Sequence, residues 1–150
     1  MKQNRIRHYV TKLLVDIMFF GGIATCVILP FIMPRLLAFV SLSQDLRLIY
    51  TIILLGSGVC ALYIVFQLKR MFKTLIGGNP FVLQNVSCLR QCAVASAVIA
   101  LIFLIRLIMW FTIAAAIIVV IFAMLSLFSL TLKDLFKQAV AYKEEMDWTV

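Results

Sequence analysis

The sequence predicts an all-α membrane protein, a bundle of four transmembrane helices with both termini in the cytoplasm. Three observations lead to this fold class. Of the 150 residues, 65% are apolar, whereas soluble domains average about 45–50%. Four apolar segments are each long enough to cross roughly 30 Å of hydrocarbon at about 1.5 Å per residue. The basic residues, finally, are shared very unequally between the two sides of this topology.

The charge distribution sets the expected orientation, because cytoplasmic loops retain Lys and Arg. The side with both termini carries eleven basic residues, namely Lys2, Arg5, Arg7, Lys12, Lys69, Arg70, Lys73, Arg90, Lys133, Lys137 and Lys143. The other side carries only Arg35, Arg47 and Arg106. We therefore expect a multi-pass protein with cytoplasmic termini. Its four spans use just over half of the chain, which indicates a single membrane domain, residues 1–150.

The first span is predicted at about residues 13–33, after a basic cytoplasmic arm formed by residues 1–12. Pro30 and Pro34 lie near its exit, where proline usually marks a kink or a stop in a membrane helix. Residues 35–47 would then form a short outer loop that lies on the membrane interface.

The second span is predicted at about residues 48–67, followed by a cytoplasmic amphipathic segment, residues 68–90. The two glycines at 77–78 would stop the helix, because glycine tolerates the left-handed conformation of a C-terminal cap. Asn79 suits the N-cap of a new helix and Pro80 its first position. We therefore expect the next helix to begin at these two residues.

The last two spans are predicted at about residues 89–107 and 110–131. Between Cys92 and Thr131 the only charged residue is Arg106. A single helix over those 40 residues would measure about 60 Å, twice the hydrocarbon thickness. A hairpin that turns between Arg106 and Trp110 fits better.

The third span carries small residues at every fourth position, Cys92, Ser96 and Ala100. Small residues let membrane helices approach closely. We therefore expect this span at the centre of the bundle.

The tail, residues 132–150, is predicted to continue the fourth span as an amphipathic helix. Its apolar side comprises Leu132, Leu135, Phe136, Ala139, Val140, Tyr142 and Met146. Exposed apolar stripes usually mark contact surfaces, so we expect the tail to be docked by Leu135, Phe136 and Val140. Three covers are candidates: the segment 68–76, a second copy of the protein, or a soluble partner.

Two polar side chains lie in or near the spans. Asp16 has two interpretations: an interfacial ion pair with Lys12, which is one helical turn away, or a proton or ion relay. Arg106 likewise fits either an outer-interface turn or an anion site between helices.

Catalytic signatures are absent from the sequence. The single histidine is His8, and none of the known nucleophile, metalloprotease, phosphate-loop or dinucleotide motifs occurs. The four cysteines read as packing residues. We therefore expect no enzyme activity, no catalytic residues, no cofactor and no metal. The basic residues that give the chain its net charge of +8 lie at the ends of the spans. This position favours anionic lipid headgroups over nucleic acid as the binding partner of these charges.

Two motifs carry a family resemblance. The first is Gly78-Asn79-Pro80-Phe81 with Asn85 and Leu89-Arg90. The second is Phe136, Ala139-Val140, Lys143-Glu144-Glu145, Asp147 and Thr149-Val150. With four spans, they resemble the domain-of-unknown-function 2975 family. This resemblance implies a small protein of the bacterial inner membrane, and it suggests helix-turn-helix regulators as gene neighbours.

The leading functional hypothesis is a non-enzymatic membrane protein that anchors or regulates a cytoplasmic partner. The candidate partner-binding residues are Asn79, Pro80, Phe81, Asn85, Arg90, Leu135, Phe136, Val140, Glu144, Glu145 and Asp147. The candidate intramembrane polar residues are Asp16 and Arg106. The alternative is a small transporter or an immunity-type protein that protects the membrane.

Overall fold

Four long helices make up the part of the chain that the computed structural model describes, residues 2–39 and 43–149. The helices are α1 (Lys2–Phe39), α2 (Gln44–Ile76), α3 (Leu83–Met109) and α4 (Ile113–Trp148). All four are long and apolar enough to cross a membrane. The predicted fold class, an all-α protein with four candidate spans, is therefore confirmed.

Consecutive helices run antiparallel. The ring of Phe19 in α1 lies 6.2 Å from that of Phe66 in α2, and at the other end of α2 the ring of Tyr50 lies 6.3 Å from Trp110. Within the described residues, each helix has close backbone contacts only with its neighbours along the chain. We call the end of the bundle that holds the start of α1, the loop 77–82 and the end of α4 the basic end.

Helix α1 is longer than predicted at both ends. It begins at Lys2, so the basic arm is helical, and it continues through Pro30 and Pro34 to Phe39. Proline removes a backbone hydrogen bond but is tolerated in membrane helices, where neighbouring groups satisfy the freed carbonyl. The predicted outer loop shrinks accordingly. The structure does not describe residues 40–42 or Val150. The predicted outer loop, residues 35–47, therefore falls partly on residues that are not described.

The stop of α2 at the two glycines is confirmed, but the start of α3 is not where it was predicted. Gly78 has a φ of +83°, and its amide donates to the carbonyl of Leu75 at 3.3 Å. Helix α3 begins at Leu83, with Val82 as the N-cap. Asn79 and Pro80 therefore belong to the loop, because their polar groups bind other elements, as described below.

Gly78 and Gly77 form a matched pair for mutation. Gly78→Ala should lower the free energy of unfolding by about 1 kcal/mol, because a side chain disfavours the left-handed backbone conformation. Gly77→Ala should have a smaller effect, since φ is −70° there. Unfolding in detergent measures both. Equal effects of the two variants would contradict this loop geometry.

Helix α3 occupies the centre, as predicted. Its Ile99 and Phe103 are 1% and 6% exposed and pack with Ala115 of α4. Nearer the basic end, the Ser126 hydroxyl of α4 donates to the carbonyl of Ala93 at 2.9 Å. Helix α3 thereby joins α2 to α4, and α1 lies at the edge of the bundle.

The turn between α3 and α4 falls at residues 110–112, at the C-terminal limit of the predicted hairpin. The Trp110 amide donates to the carbonyl of Arg106 at 2.9 Å, so Arg106 is part of the last turn of α3. The fourth helix accordingly begins at Ile113 rather than at residue 110.

Candidate partner-binding face at the basic end

Asn85 organises the loop at the basic end. It is 1% exposed. Its amide nitrogen donates to the carbonyl of Pro80 at 2.6 Å, and its side-chain oxygen accepts the hydroxyl of Thr74 at 2.8 Å. One side chain thus joins the end of α2, the loop 77–82 and the first turn of α3. The role of Asn85 in the first family motif is therefore internal.

The same loop holds the extension of α4. The rings of Phe81 and Phe136 lie 5.6 Å apart between centroids. Further along α4, the ammonium of Lys143 donates to the Asn79 side-chain oxygen at 3.1 Å, and Val140 is 5% exposed. The predicted helical tail and the contacts of Phe136 and Val140 are confirmed. The loop 77–82 of the same chain, rather than the segment 68–76, contributes the cover.

Leu135 is an exception to the predicted docking. It is 55% exposed, so its assignment as a docking residue is wrong. Phe136, Val140 and Lys143 follow one another at helical spacing on one face. Leu135 is displaced from Phe136 by about 100° around the helix, which turns it away from the loop.

The last two turns of α4 are open. Tyr142, Met146 and Trp148 are 67%, 72% and 89% exposed. The acidic residues among them, Glu144, Glu145 and Asp147, are exposed as well. We call residues 142–148 the acidic-aromatic tip; three of the candidate partner-binding residues, Glu144, Glu145 and Asp147, belong to it.

Arg90 lies apart from this group. It is exposed on α3 and lines a cleft of about 460 Å³ together with Tyr63, Ser87 and Gln91. That cleft lies between α2 and α3, whereas the tip belongs to α4. The structure therefore does not place Arg90 with the other candidate partner-binding residues.

A polar network between α2 and α3 was not predicted from the sequence. The Tyr63 hydroxyl donates to the Gln91 side-chain oxygen at 2.9 Å, and the amide of Gln67 donates to the same oxygen. Gln67 is 1% exposed. Two glutamines near the ends of apolar spans are the signal that could have indicated this contact, which fixes the register of α2 against α3.

Asp16 pairs with a residue of the neighbouring helix. The Lys69 ammonium lies 2.7 Å from Asp16 Oδ1, a charge contact without a well-aligned hydrogen bond. The predicted pairing with Lys12 is therefore wrong. Antiparallel packing of α1 on α2 brings Lys69 close, and its ammonium also lies 5.3 Å and 5.8 Å from the ring centroids of Phe19 and Phe20.

Asp16→Asn should change the free energy of unfolding by no more than about 1 kcal/mol, because ion pairs whose side chains remain partly exposed contribute little. The side chains of Lys69 and Asp16 remain 40% and 32% exposed. Chemical unfolding in detergent gives the value, and Lys12→Gln is the comparison, with no expected effect. A loss of several kcal/mol on Asp16→Asn would contradict a pair that is only partly buried.

Arg106 contacts an aromatic ring at the far end of the bundle. Its guanidinium carbon lies 5.0 Å from the Tyr50 ring centroid, and its Nε is buried without a hydrogen-bond partner. The side chain borders a cavity of about 250 Å³ that Phe103 and Ile118 also line. Arg106 was expected in a turn, but it lies in the last turn of α3. Its cation-π contact with Tyr50 joins α3 to α2.

The described residues contain no cluster of three or more His, Cys, Asp or Glu side chains that could hold a metal ion. Cys88 and Cys92 are buried as free thiols, and Cys26 and Cys60 are half-buried.

The fold defines a small, helical, multi-pass membrane protein. The chain belongs to the family described as "Protein of unknown function (DUF2975)", whose sequence model matches residues 17–150. The resemblance drawn from the two motifs is thereby confirmed. No curated protein and no solved structure gives a significant match.

Proposed function

We propose that this is a non-enzymatic membrane protein that binds a soluble cytoplasmic protein, and so anchors or regulates it, through the acidic-aromatic tip of α4. The charge distribution supports cytoplasmic termini, and the family resemblance supports the bacterial inner membrane. A partner with a basic surface fits the tip. The helix-turn-helix regulators suggested by the resemblance are one class of such partners, since DNA-binding domains carry basic surfaces.

The observation that carries this proposal is the length of α4. Its 36 residues measure about 54 Å, so about 24 Å of helix extends beyond a hydrocarbon layer of roughly 30 Å. The first charged residue of α4 is Lys133, so we expect the edge of the hydrocarbon layer to lie near this residue. The extension is held by Phe81 and Asn79, so it presents its tip in one orientation.

The charge of the tip favours a protein partner over the membrane surface. Glu144, Glu145 and Asp147 would be repelled by anionic headgroups, whereas a basic protein surface would attract them. Tyr142 and Trp148 offer large, exposed aromatic surfaces, which are enriched at the energetic centres of protein interfaces. Acidic and aromatic groups on one helix end therefore favour a protein interface.

A photo-crosslinking amino acid at Tyr142 tests the proposal in native membranes. We expect one discrete adduct with a soluble protein. Glu144→Gln with Glu145→Gln should reduce its yield about tenfold, because each interfacial charge contributes about 1 kcal/mol or less. Asp45→Asn with Asp134→Asn removes the same charge elsewhere and should leave the adduct unchanged.

Three outcomes would contradict the proposal. They are no adduct from position 142, an adduct only between two copies of the protein, and an equal loss of the adduct in both charge variants. An adduct between two copies would identify the tip as a homo-oligomer contact.

A small transporter, the second candidate, rests on a different observation. A groove of about 360 Å³ lies between α1 and the other helices, bordered by Thr25, Ser57 and Phe122 among others. Both hydroxyls donate to carbonyls of their own helices, and Asp16 does not line the groove. Abolished flux with normal expression in an Asp16→Asn variant would favour the transporter.

A further inference from the structure

We infer that the cavity between α1 and α2 at the basic end is a binding site for an anionic phospholipid, with Lys12, Arg70 and Lys73 around its phosphate. The cavity has a volume of about 340 Å³. This size suits a phospholipid headgroup and the first part of its chains.

One face of α2 supplies most of the site. Phe66, Arg70, Lys73 and Ile76 line the cavity at intervals of three or four residues, and Lys69 lines it beside Arg70, which places these residues on one side of a helix. Apolar residues stand at both ends of this series, with three cations between them. The face is therefore amphipathic in the way that a membrane-interface site requires.

Helix α1 supplies the opposite wall. Lys12 and Val15 line the cavity one helical turn apart, and Val15 is 5% exposed. The cations of the two helices thus converge on one space. A phosphate there could contact several of them at once, whereas a scattered set of surface lysines could not surround it.

The cations are not neutralised within the described part of the chain. Among the described residues, Asp16 is the only acidic side chain in an ion pair with a cation of the cavity, and its partner is Lys69. Lys12, Arg70 and Lys73 have no ion pair among the described residues. The cavity therefore keeps an excess of three positive charges, which an anionic ligand would balance.

The apolar lining distinguishes a lipid from a soluble phosphate. Val15 and Phe66, which line the cavity on the bilayer side of the cations, would contact acyl chains, and burial of apolar surface adds to the charge attraction only if the ligand is amphiphilic. Basic pockets between membrane helices are known binding places for acidic lipid headgroups. Charge and lining together favour an anionic phospholipid over an inorganic ion.

Fluorescence quenching by brominated lipids tests the site. The reporter is Phe66→Trp in a detergent-purified chain whose Trp110 and Trp148 are replaced by Phe. We expect brominated phosphatidylglycerol to quench this reporter at much lower concentration than brominated phosphatidylcholine. A reporter at Leu68, on another side of α2, should show no such preference.

Charge variants then identify the residues. Lys12→Gln, Arg70→Gln and Lys73→Gln together should weaken phosphatidylglycerol binding about 100-fold. The matched control removes three cations of the same end that do not line the cavity. It combines Arg90→Gln, Lys133→Gln and Lys137→Gln, and it should leave binding unchanged. Circular dichroism and gel filtration check that both variants fold.

Several results would overturn the inference. Equal loss in both charge variants would mean diffuse attraction to the basic end. Equal quenching by both lipids at Phe66→Trp would exclude a headgroup site, even if the triple variant failed to fold. Displacement of phosphatidylglycerol by soluble glycerol phosphate at similar concentration would assign the cavity to a free phosphate ligand instead.

Discussion

Asn85→Ala is expected to lower the free energy of unfolding by about 2 kcal/mol, because it removes two hydrogen bonds and leaves space in a buried site. The two bonds join the first turn of α3 to the end of α2 and to the loop 77–82. The measurement is equilibrium unfolding of the purified protein in detergent, followed by helicity.

Gln84→Ala is the matched control for Asn85→Ala. Gln84 precedes Asn85 on α3 and is exposed, so its truncation should change stability by less than about 0.5 kcal/mol. If the two variants unfolded alike, Asn85 would not be the residue that organises the loop.

Phe136→Asp is expected to release the extension of α4 while the four membrane helices remain inserted. The change removes the ring contact with Phe81 and places a carboxylate against an aromatic ring. A loss of about 2 kcal/mol of docking energy would increase trypsin cleavage at Lys137 and Lys143 roughly 30-fold. Inverted membrane vesicles expose these sites if the basic end is cytoplasmic.

Leu135→Asp provides the comparison for Phe136→Asp, since it introduces the same charge one residue earlier. Leu135 is 55% exposed, so its replacement should leave protection from trypsin nearly unchanged. Rapid cleavage of the unmodified protein, or equal cleavage of both variants, would show that the extension is not docked.

The sequence predicted the number, order and continuity of the helices, because membrane spans follow from local hydropathy. The stop of α2 followed from the two glycines, and the helical tail followed from its unbroken connection to the fourth span. The ends of the helices were predicted less well. Pro34 and Asn79 were interpreted by their usual local preferences. Helix α1 nevertheless continues through Pro34, and the Asn79 side chain binds Lys143 of α4 instead of capping α3.

The pairings between helices could not be read from local spacing. Lys12 was the partner predicted for Asp16 because it lies one turn away, yet the facing helix brings Lys69 to 2.7 Å. The helical wheel placed Leu135 and Phe136 on the same broad stripe, but it could not say which of them faces the loop. Which side chains face each other depends on the orientation of each helix about its own axis, and local spacing does not determine that orientation.

The residues of the two motifs differ in what they contact in the structure. The first motif supplies internal contacts through Asn85, Phe81 and Asn79. The acidic residues of the second motif, Glu144, Glu145 and Asp147, are exposed instead. A sequence motif does not show whether a residue stabilises the fold or binds another molecule.

The most direct test of this account is the proximity of the loop and the α4 extension in native membranes. Asn79→Cys and Lys143→Cys, whose native side chains meet at 3.1 Å, should be joined within one chain by a short bifunctional thiol reagent. Asn79→Cys with Glu145→Cys should react far less, since position 145 is rotated by about 200° around the helix. Equal reaction of both pairs, or links only between copies, would contradict a docked extension.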